Sequence, residues 1–125
     1  MMELTINGKV YQFKFGMGFM REINKKITTN VDGTEIKKNI GLQYNIAGAI
    51  DGELEALCDI LLAANKGYSP RLKNEDLDAF IDDENTDIDT LFDEVLGFLK
   101  NANATKKTYN NLMKAMENQA QAANQ

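Results

Sequence analysis

Histidine is absent from this 125-residue chain, and serine, proline and cysteine occur once each. Without histidine the chain lacks the commonest general base, the usual partner of a nucleophile and the commonest metal ligand. Ser69 stands beside Pro70 in a turn with no candidate base near it, so a hydrolase has no machinery here. A lone Cys58 rules out an internal disulfide and fits a reducing compartment. Its place on an apolar helical face, with no basic residue nearer in sequence than Lys66, reads as a structural thiol. Long hydrophobic runs are missing too. The longest, Leu54 to Ala64, is broken by Glu55 and Asp59, which excludes a bilayer span. Met1-Met2-Glu3 leads into a strand instead of a basic segment and an apolar stretch, so a cytoplasmic protein is expected. No cofactor is implied.

The formal net charge is −5, unevenly spread. Seven basic residues face four acidic ones up to residue 40, whereas Glu75 to Glu94 holds ten carboxylates and no cation. Such a field repels phosphate backbones and argues against a nucleic-acid partner for that face. It would attract a basic protein surface, or simply keep a solvated helical face soluble. The lysine pairs 25–26, 37–38 and 106–107 are too scattered for a nucleic-acid patch.

At this length one domain is expected, covering residues 1–116, with a flexible polar tail over 117–125 (ENQAQAANQ). Asn7-Gly8 between two alternating runs predicts a two-residue hairpin turn, with Ile6 facing Lys9, Leu4 facing Tyr11 and Met2 facing Phe13. Met2, Leu4, Ile6, Tyr11, Phe13 and Phe15 then form one apolar face that fixes the register. One open strand edge could pair with a second copy or a client, and proline at Thr5 or Gln12 is expected to disturb both folding and assembly.

Downstream the period becomes helical. Phe19, Met20, Ile23 and Ile27 predict a helix ending near Thr28-Thr29-Asn30. Residues 31–40 read as an irregular connection, with a turn at Asp32-Gly33 and a third strand at Thr34–Ile36 as the alternative. A helix over Gly41–Ile50 follows, then one over 52–65 with Asp51 as its N-cap and Leu54, Leu57, Cys58, Ile60 and Leu61 on one broad face at the centre of the core. Gly67 and Pro70 stop it. Asn74 reads as the N-cap of a helix carrying Leu77, Phe80 and Ile81. Thr86 with Asp89 resembles a capping box opening the stripe Ile88, Leu91, Phe92, Val95, Leu96 and Leu99. After a break at residues 101–104, Thr105 would cap a last helix bearing Tyr109, Leu112, Met113 and Met116. The fold class is therefore α+β, an N-terminal β-hairpin packed on a bundle of four to five helices with a frayed C-terminal tail.

Asp83, Asn85, Asp87, Asp89 and Glu94 fall at positions 1, 3, 5, 7 and 12 of a calcium loop. Position 6, which needs glycine, is Ile88. An acidic helix N-terminus accounts for the same residues, so no metal is expected.

MELTINGKVYQFKFGMGFMREINKK at the N-terminus, AIDGELEALCDILLAANKGYSPRLKNEDLDAFIDD in the middle and the helix DIDTLFDEVLGFLKNANATKK together resemble the tail assembly chaperones of long-tailed bacteriophages infecting Gram-positive bacteria. The likeness runs through nearly all of residues 2–107. It implies a non-catalytic protein of the infected cell's cytoplasm that binds the tape measure protein, helps tail tube protein assemble around it and is absent from the mature virion. Many such genes also yield a longer product by programmed frameshifting, to which this chain would correspond as the short form. A holdase of that kind needs apolar patches rimmed by charge and no catalytic group. Tyr109, Leu112, Met113 and Met116, lying beyond the main core, are the candidate partner-binding residues, and a homo-oligomer is expected. The rival reading is a small acidic phage regulatory protein that occupies the basic cleft of a host enzyme and inhibits it.

Overall fold

The computed structural model describes residues 1–123, with side chains as far as residue 120. Strands β1 (Met2–Ile6) and β2 (Lys9–Phe13) form the expected antiparallel hairpin, and the pairs Met2↔Phe13, Leu4↔Tyr11 and Ile6↔Lys9 are those the alternation dictates. Asn7 and Gly8 take φ of 51° and 79°, the positive values a two-residue hairpin turn requires. Met2, Ile6, Tyr11, Phe13 and Phe15 are buried, while Glu3, Thr5 and Val10 face out.

That apolar face rests on helices. Phe15 carries the chain from the hairpin into α1 (Met17–Asn24) and packs edge-on against Phe19 and stacked against Phe98. The first helix is shorter than its spacing suggested. It ends at Asn24, and Ile27 lies beyond it, because Ile27-Thr28-Thr29 is a β-branched run that favours extended backbone. Residues 31–40 are accordingly not an irregular connection. β3 (Thr28–Asn30) and β4 (Lys37–Asn39) make a second antiparallel hairpin, with strands on either side of the Thr34–Ile36 segment that the alternative reading had made a strand.

α2 (Gly41–Ile50) starts against the end of α1. A Cβ at Gly41 would run into the Ile23 carbonyl oxygen, so only glycine lets the two helices meet there. The Asn24 side chain accepts from Leu42 N at 3.2 Å and caps α2 across the intervening hairpin. Asp51 closes α2 as its C-cap and does not open the next helix, since Gly52 with φ of 82° separates them. α3 (Leu54–Asn65) sits at the centre of the core, packed on β2, α1 and α2, with Leu57, Ile60 and Leu61 fully buried. Leu54, expected on the buried face, is 42% exposed.

Gly67, with φ of 92°, turns the chain out of α3 as expected. α4 (Asn74–Asp82) begins with Asn74 inside the helix; Lys73 holds the cap position and no side chain caps it. α5 (Ile88–Asn101) is capped one residue later than expected, by Asp87 Oδ1 accepting from Thr90 N at 3.0 Å. Thr86 is drawn the other way and donates its hydroxyl to the Phe80 carbonyl at 2.6 Å. Leu91, Val95 and Leu99 bury the α5 stripe. α6 (Lys106–Ala123) packs on α5 and α2. Thr105 stands just before it, wholly buried, with its hydroxyl turned back to the Leu99 carbonyl at 2.6 Å. The α+β class is as expected, but the described residues hold six helices where four to five were expected. The polar end is helical to Ala123 and exposed through residue 120; residues 124–125 of the expected tail lie outside the described residues.

Candidate functional site

Two grooves take five of the ten carboxylates of the acidic run between them. The larger, about 540 Å³, lies between α3 and α4. Leu54, Cys58 and Leu62 recur every four residues on α3, beside the fully buried Leu57 and Leu61, and with Leu77 and Ile81 of α4 they give the groove its apolar part. Glu55 and Asp59 stand along one rim, Asp78 and Asp82 along the other. Among the described residues no lysine or arginine pairs with these carboxylates. The Cys58 thiol is pushed up to about 11, first by burial and then by Asp78, Asp59 and Glu55. It therefore stays protonated and serves the groove as a small apolar side chain, not as a nucleophile.

The second groove, about 380 Å³, runs between β1 and the α4–α5 junction. Leu4, Phe80 and Leu91 line it, with Asp83, Asp87 and Glu94 around it. Asp87 is held below its ordinary value by the Thr90 backbone N–H it accepts from. Of the five residues spaced like a calcium loop, Asp89 and Glu94 lie inside α5 and Asp87 caps it, so the loop conformation does not exist. Among the described residues no group of three His, Cys, Asp or Glu side chains is placed to hold a metal ion.

The expected partner-binding residues sit on one stripe of α6, all half-buried. Tyr109 and Leu112 are spent on the body of the fold, packed against the core, while Met113 and Met116 continue the stripe beyond it. The structure thus brings the four onto one face and packs Tyr109 and Leu112 of them on the core.

Two positioning residues escaped sequence reasoning. Asn65, fully buried at the end of α3, donates through Nδ2 to the Gln12 carbonyl at 3.0 Å and the Pro70 carbonyl at 3.2 Å. Its Oδ1 accepts from Leu72 N at 2.6 Å and from Arg71 Nη1 at 3.4 Å. With Lys14 N donating to the Ala64 carbonyl, this closes the outer edge of β2 against α3. Glu22 joins α1 to the end of α3, accepting Lys66 Nζ at 2.8 Å and Lys25 Nζ at 3.0 Å. Hydrogen bonds from Lys66 and then Lys25 lower its carboxyl to about 2. Neither residue carries a local sequence signal, because each acts on a distant segment. No described helix is long and apolar enough to cross a membrane.

A family model described as phage tail assembly chaperone protein, TAC, matches residues 3–114. No curated protein and no solved structure matches the chain.

Proposed function

The chain belongs to the phage tail assembly chaperone family, and from that membership we propose that it acts as a non-catalytic holdase for the tape measure protein. In this reading it works in the cytoplasm of the infected host, lets tail tube protein assemble around its client, self-associates, and is left out of the finished virion. The observation that supports it is the α3–α4 groove, where an apolar strip of Leu54, Cys58, Leu62 and Ile81 is bordered by Glu55, Asp59, Asp78 and Asp82. Its shape and charge suit one apolar stripe of an amphipathic helix flanked by lysine or arginine. Met113 and Met116 extend the contact on α6, where methionine adapts to varied client side chains. The family match supports the chaperone reading, and nothing favours the enzyme-inhibitor one.

Co-expression with the tape measure protein, followed by pull-down, tests the assignment. Wild type should co-purify with its client, and Leu54→Lys should lose most of it while keeping its helical circular dichroism, because Leu54 is already 42% exposed. Unchanged capture by Leu54→Lys would move the client off this groove. No capture by wild type would end the tape-measure reading.

A further inference from the structure

Among the described residues, no other element packs closely on the second hairpin. Every residue from 28 to 39 is exposed, and Val31 and Ile36 near its tip are 43% and 66% exposed. A lone two-stranded hairpin is marginal in water. Val31 N donates to the Ile36 carbonyl and Ile40 N to the Ile27 carbonyl, both at 2.8 Å. In an antiparallel ladder these inward pairs leave Lys37 and Asn39 with N–H and C=O groups pointing outward along β4.

An open edge of the same length lies elsewhere on the molecule. The Asn7-Gly8 turn makes Ile6↔Lys9 an inward pair, so Glu3 and Thr5 of β1 point their backbone groups out. The β2 edge is closed by Asn65, but the β1 edge borders the groove of Asp83, Asp87 and Glu94. Each edge therefore offers two outward residues at the same spacing, one beside Lys37 and Lys38, the other beside Glu3 and these carboxylates. The two cannot meet within one copy. Glu94 and Leu91 line the groove from the first turns of α5, whereas Asn39 neighbours Ala104 and Thr108 past its far end. From Leu91 and Glu94 to the end of α5 at Asn101 the helix runs on for about 10 to 15 Å.

We propose that β4 of one copy adds to β1 of a second copy, Lys37–Asn39 against Glu3–Thr5, so that the two hairpins join into one sheet across a head-to-tail interface. This inference rests on the self-association proposed above and names its surface. Because the two surfaces differ, the contact is heterologous, and repeated addition builds a ring or an open filament. The lysines steer the strand into the acidic groove, and the backbone pairing fixes its register.

Sedimentation velocity over a concentration series tests it. Wild type should grow past a dimer, while K37E/K38E and D83K/E94K should each sediment as monomers with unchanged circular dichroism. A 1:1 mixture of the two variants should assemble again, since each meeting of one variant's edge with the other's groove pairs opposite charges. Should D83K/E94K fail to fold, Glu3→Lys on the exposed face of β1 takes its place. Variants that assemble like wild type, or a mixture that stays monomeric, would overturn the interface while leaving self-association standing. A wild type that is monomeric at every concentration would defeat the self-association reading itself.

Discussion

Asn65 uses both of its amide hydrogens and both acceptor positions, on Gln12, Pro70, Leu72 and Arg71. A buried polar side chain so fully engaged is costly to alter, because its partners lose their bonds inside the fold. Asn65→Asp replaces the two donors with oxygen and turns acceptor against acceptor at Gln12 and Pro70. It should destabilise the protein by about 3 kcal/mol, seen as an earlier urea midpoint and a Tm lower by roughly 10 °C. A loss below ~1 kcal/mol would mean the clamp is dispensable. Glu22 gives a pH signature. Its carboxyl stands at about 2 against an ordinary 4.5, so the ion pair adds stability that is complete above about pH 5 and lost as pH falls through 2. Both lysines are more than half exposed, which limits the contribution to about 1 kcal/mol or less. Glu22→Gln should therefore be less stable than wild type at pH 7, with a gap that narrows steadily from pH 5 down to pH 2. A stability gap that did not shrink over that range would assign the effect to something other than the charge.

At the scale of elements, what was legible in the sequence was what is decided locally. The first hairpin followed from Asn7-Gly8 and strict alternation, and the α5 stripe from Leu91, Val95 and Leu99, because turn chemistry and periodicity act within a few residues. The second hairpin was not legible. Its six strand residues are all exposed, so no apolar alternation marks them, and Ile27 fell by chance at helical spacing from Ile23. Helix caps shifted for a related reason. Asp51, Asn74 and Thr86 are all good cap residues by type, but Gly52, Lys73 and the Phe80 carbonyl settle where each helix begins. The two edges of the first hairpin now separate as well. At Thr5 a proline ring would point outward into solvent, which an edge strand tolerates. At Gln12 it would point toward Asn65 and Ala64, which close that edge. Thr5→Pro should thus fold with a Tm within about 5 °C of wild type and assemble poorly, whereas Gln12→Pro should lose stability outright. A folded Thr5→Pro protein of unchanged oligomer size would count against any role for the β1 edge.

For the molecule as a whole, the acidic run from Glu75 to Glu94 was visible as composition, but the division of five of its carboxylates between two grooves was not. That division depends on α3 and β1 meeting α4 from different sides, which no window of sequence contains. The same limit applies to α6. Its stripe reads as one surface, yet Thr105 is buried and Tyr109 and Leu112 pack on the core, while Met113 and Met116 do not. Removing the whole helix would therefore confuse folding with binding. A chain ending after residue 104 leaves out Thr105 and uncovers the surfaces of α2 and α5 on which α6 packs. It should unfold earlier by several kcal/mol, in line with the loss of two large half-buried side chains and a buried hydroxyl bond. A chain ending after residue 112 keeps those contacts and lacks the outer methionines together with the exposed end of the helix. It should hold its Tm within about 5 °C of wild type and bring down less tape measure protein in the pull-down. If the second chain captures its client as well as the full-length protein does, the outer half of α6 makes no contact that matters, and the client lies on the α3–α4 groove alone.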